Sequence, residues 1–275
     1  KIDDYLIKPV NPKQVLLTIK KLVDNKRLVS EKTSMAYQQD FRNLGMTLND
    51  NLSYAEWVDV YKKLVFWELS LEKLEDEGMH EILTMQKSEA NTQFSKFIEK
   101  NYLGWLKDPD SGPVTSNQLL KKKLFPNLEA SRPTFFILID NLRYDQWKVI
   151  NSVITNYFRL DDEDHYFSIL PTATQYARNA IFSGLLPVEM EKRFPDMWQN
   201  DEDEGGKNLF EEKFLADQIK RVIRRDLKFS YHKILTLEQG RDIADNISNL
   251  YGNELNVLVY NFVAMVSHAT TGMAV

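Results

Sequence analysis

Three stretches place residues capable of chemistry directly after apolar runs. In "FFILIDNLRYDQW", residues 135–147, an apolar run gives way to Asp140, Asn141, Arg143 and Asp145. A carboxylate at the end of a buried strand can ligate a metal, attack as a nucleophile or cap the next helix. In "SILPTATQYARNAIFSGLLP", Pro171 breaks an extended run, and Thr172 and Thr174 precede a helix expected over residues 175–182. A hydroxyl there is by default a cap, yet it also stands at the positive pole of a helix. A phosphate would be stabilised at that pole, and a metal could lower the hydroxyl's pKa. Arg178, one turn on, could meet a phosphate oxygen. The third stretch is "AMVSHA", where His268 follows the run "NVLVYNF"; the other histidines are His80, His165 and His232.

The elements that position these residues read as α/β. "TFFILID", "LKFSYHKIL" and "LNVLVYNFV" are continuous rather than alternating apolar runs, as expected of strands covered on both faces. Helical stretches separate them, and "DHYFSILPTAT" reads as extended. The expectation is a mostly parallel sheet with flanking helices, whose ligands sit at the carboxyl ends of the strands. Before Arg132-Pro133 the rhythm is helical. Ser53 and Glu56 have the spacing of a capping box. Behind them Trp57, Val60, Leu64, Trp67, Leu71 and Leu74 keep one apolar face, and Gly78 is the expected stop. A second helix is expected over residues 89–105, with Phe94, Phe97, Ile98, Tyr102 and Trp105, and residues 107–117 read as a loop. These aromatic stripes read as bundle core. At the start, Tyr5 to Ile7 reads as a short strand, followed by Lys8-Pro9 and a helix capped by Asn11 with Val15, Leu16, Ile19 and Leu22 on its apolar stripe.

Composition excludes several chemistries. The 275 residues contain no cysteine, so disulfides, thiolate zinc sites and cysteine nucleophiles are absent, and any metal must sit on oxygen and imidazole ligands. No Gly-x-Ser-x-Gly elbow or glycine-rich phosphate loop occurs. With 35 basic against 40 acidic residues the net charge is -5, which offers no general field for nucleic acid. Basic density is confined to Lys121–Lys123 and "KRVIRR" at 220–225, and no basic recognition helix is visible. The acidic run "DMWQNDEDEGG" reads as an exposed loop. No stretch approaches the roughly 18 apolar residues of a membrane span, so the expectation is a cytoplasmic chain with no membrane contact. Both termini read as cut.

The order of aspartate after a first strand, Pro-Thr-x-Thr before a helix and histidine after a later strand resembles the alkaline phosphatase superfamily. "LIDNLRYDQW" with "LPTATQYARNAIFSGLLP" resembles its PglZ branch more narrowly. The initial strand, Lys-Pro and helix are similar to the end of a receiver domain, in which Lys8 would be the switch lysine before a cis proline. The whole chain thus resembles the PorX-like response regulators that carry a PglZ domain. The resemblance implies a receiver end over 1–27, a helical linker bundle over 28–130 and an incomplete alkaline-phosphatase-like α/β domain over 131–275.

What it implies chemically is a two-zinc phosphodiesterase. Asp140, Thr174 and His268 are the implied metal ligands, and Thr174 is also the nucleophile, with Thr172 in reserve. Asn141, Arg143 and Arg178 would contact substrate, plausibly short or cyclic oligonucleotides. Ala264 stands where the superfamily's Asp-x-x-x-His motif has its aspartate, and a further Asp-His pair and a last histidine would lie beyond Val275. The implied partners are a sensor histidine kinase, a second copy bound through the helical linker, and possible contact with a sigma factor, in regulation of type IX secretion. The alternative is a catalytically incomplete signalling scaffold that acts by dimerisation and protein contact.

Overall fold

No glycine or proline interrupts residues 13–44, so nothing in the backbone stops a helix once it has started. In the computed structural model, which describes residues 12–48, 51–72, 77–199 and 208–261, α1 accordingly runs unbroken over Pro12–Thr47. It crosses the boundary expected near residue 27, and Leu16 and Ile19 on it are exposed. Tyr5 to Ile7, Lys8 and Asn11 lie outside the described residues.

The chain forms two compact units, dividing between Asp108 and Pro109. In the first, α2 (Tyr54–Leu71) begins as expected: the Ser53 hydroxyl accepts from the Glu56 N–H, and the Glu56 carboxylate accepts from the Ser53 N–H at 2.8 Å. It stops at Leu71, and Gly78 is not its stop but lies in the first turn of α3 (Glu77–Lys107). A glycine is cheap there, where the first N–H groups lack helical partners in any case. The expected second helix is therefore the later half of a longer one. Tyr37, Leu44, Trp57, Val60, Leu64, Trp67, Leu71, Leu83 and Ala90 close a single apolar core. Trp57 packs edge-on to Phe94 with centroids 5.4 Å apart.

The second unit holds a parallel sheet, β1 (Thr134–Ile139), β2 (Phe229–Ile234) and β3 (Leu255–Tyr260), in the order β1-β3-β2. All three runs expected to be strands are strands. The central β3 is buried from Leu255 to Val259. Within it Asn256 is fully buried and satisfied: it donates to Leu250 O and accepts from Ser230 and Asn253.

Helices follow in the order α4 (Tyr144–Ile154), α5 (Thr174–Ser183), α6 (Pro187–Arg193), α7 (Glu211–Val222) and α8 (Leu237–Asp245). Helices α5 and α7 bring Phe182, Phe214, Leu215 and Ile219 to a core with Phe136, Leu138, Val257 and Val259. On the other face, Gly240 of α8 stands so close to the sheet that a Cβ there would lie 3.4 Å from the Tyr260 ring. Gly184, at φ 65°, ends α5 in the left-handed conformation that glycine adopts without strain. The extended reading of residues 164–174 reduces to a single bridge between Phe167 and Thr115, which draws residues 109–130 into this unit. Leu120 is fully buried in its core.

Candidate functional site

Strands β1 and β3 end side by side, in register from Thr134↔Leu255 to Ile139↔Tyr260. The ladder extends one residue further, because the Asp140 N–H donates to Tyr260 O at 3.0 Å and the Asn261 N–H to Ile234 O at 2.9 Å. Asp140 and Asn261 thus emerge together at the carboxyl edge of the sheet, where open α/β sheets carry their ligands. Directly after Asp140 the chain turns through Asn141 at φ 62°, a conformation for which asparagine is the favoured non-glycine residue.

Arg178 joins these strand ends to helix α5. Its Nη1 donates to Asp140 Oδ2 at 2.9 Å and to Asn261 Oδ1 at 2.6 Å. Its Nε and Nη2 grip Glu211, from the first turn of α7, in a two-pronged pair, the Nη2 contact measuring 3.1 Å. Glu211 also accepts from the Tyr231 hydroxyl at 2.8 Å and lies 3.4 Å from Lys233 Nζ, which itself donates to Asn208 O. Glu211 is 1% exposed and Arg178 4%. Two carboxylates therefore face two cations below the strand ends, in a setting where a lone charge would be costly. Burial, reinforced by the Glu211 charge, pushes the Tyr231 hydroxyl far up. Desolvation and then the charge of Asp140 push the Tyr166 hydroxyl up as well.

The residues singled out from the sequence fall into groups. Asp140 and Arg178 are in direct contact. Thr174 is the first residue of α5, exposed, and the helix takes Ala173 as its N-cap, so neither Thr172 nor Thr174 is the cap. Because Thr174 and Arg178 are four residues apart, they share a helix face, separated by about 6 Å along the axis. The residue that grips Asp140 therefore stands one turn from Thr174 on the same helix. Arg143, exposed, occupies the N-cap position of α4 without a side-chain cap and pairs with Asp145 through two contacts of 3.0 and 2.7 Å. That hydrogen bonding holds the Asp145 carboxyl below the usual range, against the opposing effect of its partial burial. Arg178 spends four of its five N–H donors inside the protein, so its place is mainly internal rather than facing substrate. Lys8, His268 and Ala264 lie outside the described residues.

Sequence reasoning missed Glu211, Tyr231, Lys233 and Asn261. Asn261 carries the same signal as Asp140, a polar residue at the end of an apolar strand. Glu211 sits in "FEEKF" and looks like any acidic first turn.

Two family models match this chain. One, the PorX response regulator linker domain, covers residues 27–106; the other, the BREX system PglZ alkaline phosphatase-like domain, covers residues 119–273, more than half of the chain. The chain belongs to the PglZ alkaline phosphatase-like family. Its PglZ region follows the linker in the order found in a PorX-like regulator. No curated protein matches it.

Members of the alkaline phosphatase superfamily are typically metal-dependent. Among the described residues of this PglZ chain, no group of three or more His, Asp or Glu side chains stands close enough to hold a metal ion. Asp140, with Oδ2 accepting from Arg178, fits a single ligand position rather than a complete site. Among the described residues, no helix is long and apolar enough to cross a membrane.

Proposed function

We propose that this chain carries the phosphoester-hydrolysing output of a response regulator, a zinc-dependent phosphodiesterase acting on short or cyclic oligonucleotides. The observation that carries this reading is the Arg178–Asp140 salt bridge, because it ties α5, whose first residue is Thr174, to the residue at the carboxyl end of β1. Asp140, Thr174 and His268 are the residues that would hold metal. A zinc ion there would supply a Lewis acid and a lowered pKa for a coordinated hydroxyl.

The chain's own part is positional. Thr174 presents its oxygen from the first turn of a ten-residue helix, whose positive dipole end favours an incoming phosphate. The threonine oxygen bonds to phosphorus as the ester bond breaks and the alcohol leaves. Water then cleaves the phosphothreonine and returns the hydroxyl. Asn141 and Arg143 at the mouth contact the phosphate oxygens. Upstream, a sensor histidine kinase acts on the receiver. The receiver state is passed through the helical linker as a change in dimerisation, in the service of type IX secretion.

The test is hydrolysis of a chromogenic phosphodiester by the full-length protein with added zinc. Thr174→Val removes the attacking oxygen, and an activity loss of roughly 10³-fold or more is expected. Equal rates in parent and variant would sink this reading. They would leave protein contact, with a sigma factor or a second copy, as the output, which is the reading that Ala264 favours.

A further inference from the structure

We infer that Glu211 is a positioning residue of this site, acting through Arg178 to fix Asp140 and Asn261 at the strand ends. The value of a fixed Asp140 rests on the proposed hydrolysis; the fixing itself does not.

The argument begins with what Arg178 can and cannot do. A guanidinium has only donors, arranged in a rigid planar fork, so whatever holds one edge of it sets the direction of the other. Glu211 takes Nε and Nη2 together, the pairing that leaves least freedom of rotation. Nη1 is then aimed at Asp140 and Asn261, 2.9 and 2.6 Å away. Asn261 must turn its oxygen toward this donor, so its NH2 turns away from Arg178. Asp140 engages the guanidinium through one oxygen, Oδ2. Glu211 is itself fixed, by the Tyr231 hydroxyl at 2.8 Å and Lys233 at 3.4 Å, both from β2. A buried carboxylate with three partners has little room to move, and it transmits that rigidity to the edge of the sheet. Outer partners of this kind orient site ligands, and losing one typically weakens metal affinity about 10–100-fold.

A buried ion pair could instead serve the fold alone, so the test must separate the two roles. Arg178→Met with Glu211→Leu replaces the pair by apolar side chains of similar length, a change that buried pairs often tolerate without loss of stability. In the full chain this paired variant is expected to keep the parental circular dichroism, with a melting temperature lowered by the loss of the Tyr231 and Lys233 contacts to Glu211. Its zinc affinity, measured by competition with a fluorescent chelator, is expected to fall about 10–100-fold. Its crystal structure is expected to show Asp140 and Asn261 in altered rotamers. Parental rotamers with unchanged zinc affinity would overturn the proposal. Should the paired variant fail to fold, Glu211→Gln carries the same two measurements, since it keeps the shape and removes the charge that orients the fork. A parent that takes up no zinc would count against the proposed hydrolysis. The rotamers of Asp140 and Asn261 in the variant would still decide whether Glu211 positions them.

Discussion

The two units bury different things. The helical unit closes on aromatic and aliphatic side chains, and its most buried polar contact is a 3.4 Å hydrogen bond from the Tyr37 hydroxyl to Gln86, whose amide donates in turn to Phe41 O. The α/β unit has an apolar core of similar extent, yet it also places Arg178 and Glu211 almost wholly out of solvent beneath the sheet's carboxyl edge. A buried ion pair is weak evidence for stability, because desolvating both charges costs about as much as their attraction returns. Stability alone therefore explains the first core and not the second. The difference points to geometry: the α/β unit keeps charges where side chains must stand at fixed positions, and the helical unit has no such requirement.

The largest effect should come from breaking the charged cluster on one side only. Glu211→Ala leaves Arg178 and Lys233 facing each other without their shared carboxylate, and removal of one partner of a buried pair costs about 3–5 kcal/mol. Hydrogen exchange followed by mass spectrometry should show the loss in β3 and α5, with α2 and α3 unchanged. Trp57→Ala should cost a comparable 3–5 kcal/mol or so by opening a cavity, with the pattern reversed. Equal loosening of both units in either variant would erase the distinction between them.

A smaller effect separates polar roles. Tyr231→Phe removes a hydroxyl that donates to a buried carboxylate, and hydrogen bonds to charged groups are worth about 1.5–3 kcal/mol. Urea unfolding of the α/β unit should register that loss, while loss below about 0.5 kcal/mol, the level of an ordinary surface change, would show that Arg178 and Lys233 satisfy Glu211 without it.

Legibility from sequence divides along the same line. Apolar runs name β1, β2 and β3, and the Ser53/Glu56 pair names the start of α2, because these are local patterns that local physics enforces. Asp140 was visible for a related reason, being polar where a buried strand ends. Gly78 misled because a glycine fits the first turn of one helix as well as the end of another. The long α1 shows the converse, since the boundary expected near residue 27 leaves no break in a helix that no glycine or proline interrupts there. The cluster around Glu211 was illegible. Its members come from α5, α7, β1 and β2, and each alone resembles a solvated charge or a helix-start acid. Their meaning lies in tertiary contacts that no spacing encodes, and the shift of Arg178 from expected substrate contact to internal fork has the same cause.

The smallest effect at neutral pH concerns Tyr37. Its hydrogen bond is long at 3.4 Å, so Tyr37→Phe, which keeps the ring against Trp67, should change stability at pH 7 by no more than about 1 kcal/mol. The variant differs more in alkali. Burial pushes the Tyr37 hydroxyl up from its ordinary value near 10 to about 12, because the folded core disfavours the phenolate. A group raised in the folded state contributes stability that is fully present below its unfolded value and is lost as pH rises through the folded one. The helical unit should therefore weaken between pH 10 and about 12, and Tyr37→Phe should flatten that part of the profile. Hydrogen exchange of α2 and α3 peptides over this interval is the measurement. If parent and variant decline in parallel, the phenol is not desolvated in the core, and a wet seam between α1 and α3 would run beside Tyr37.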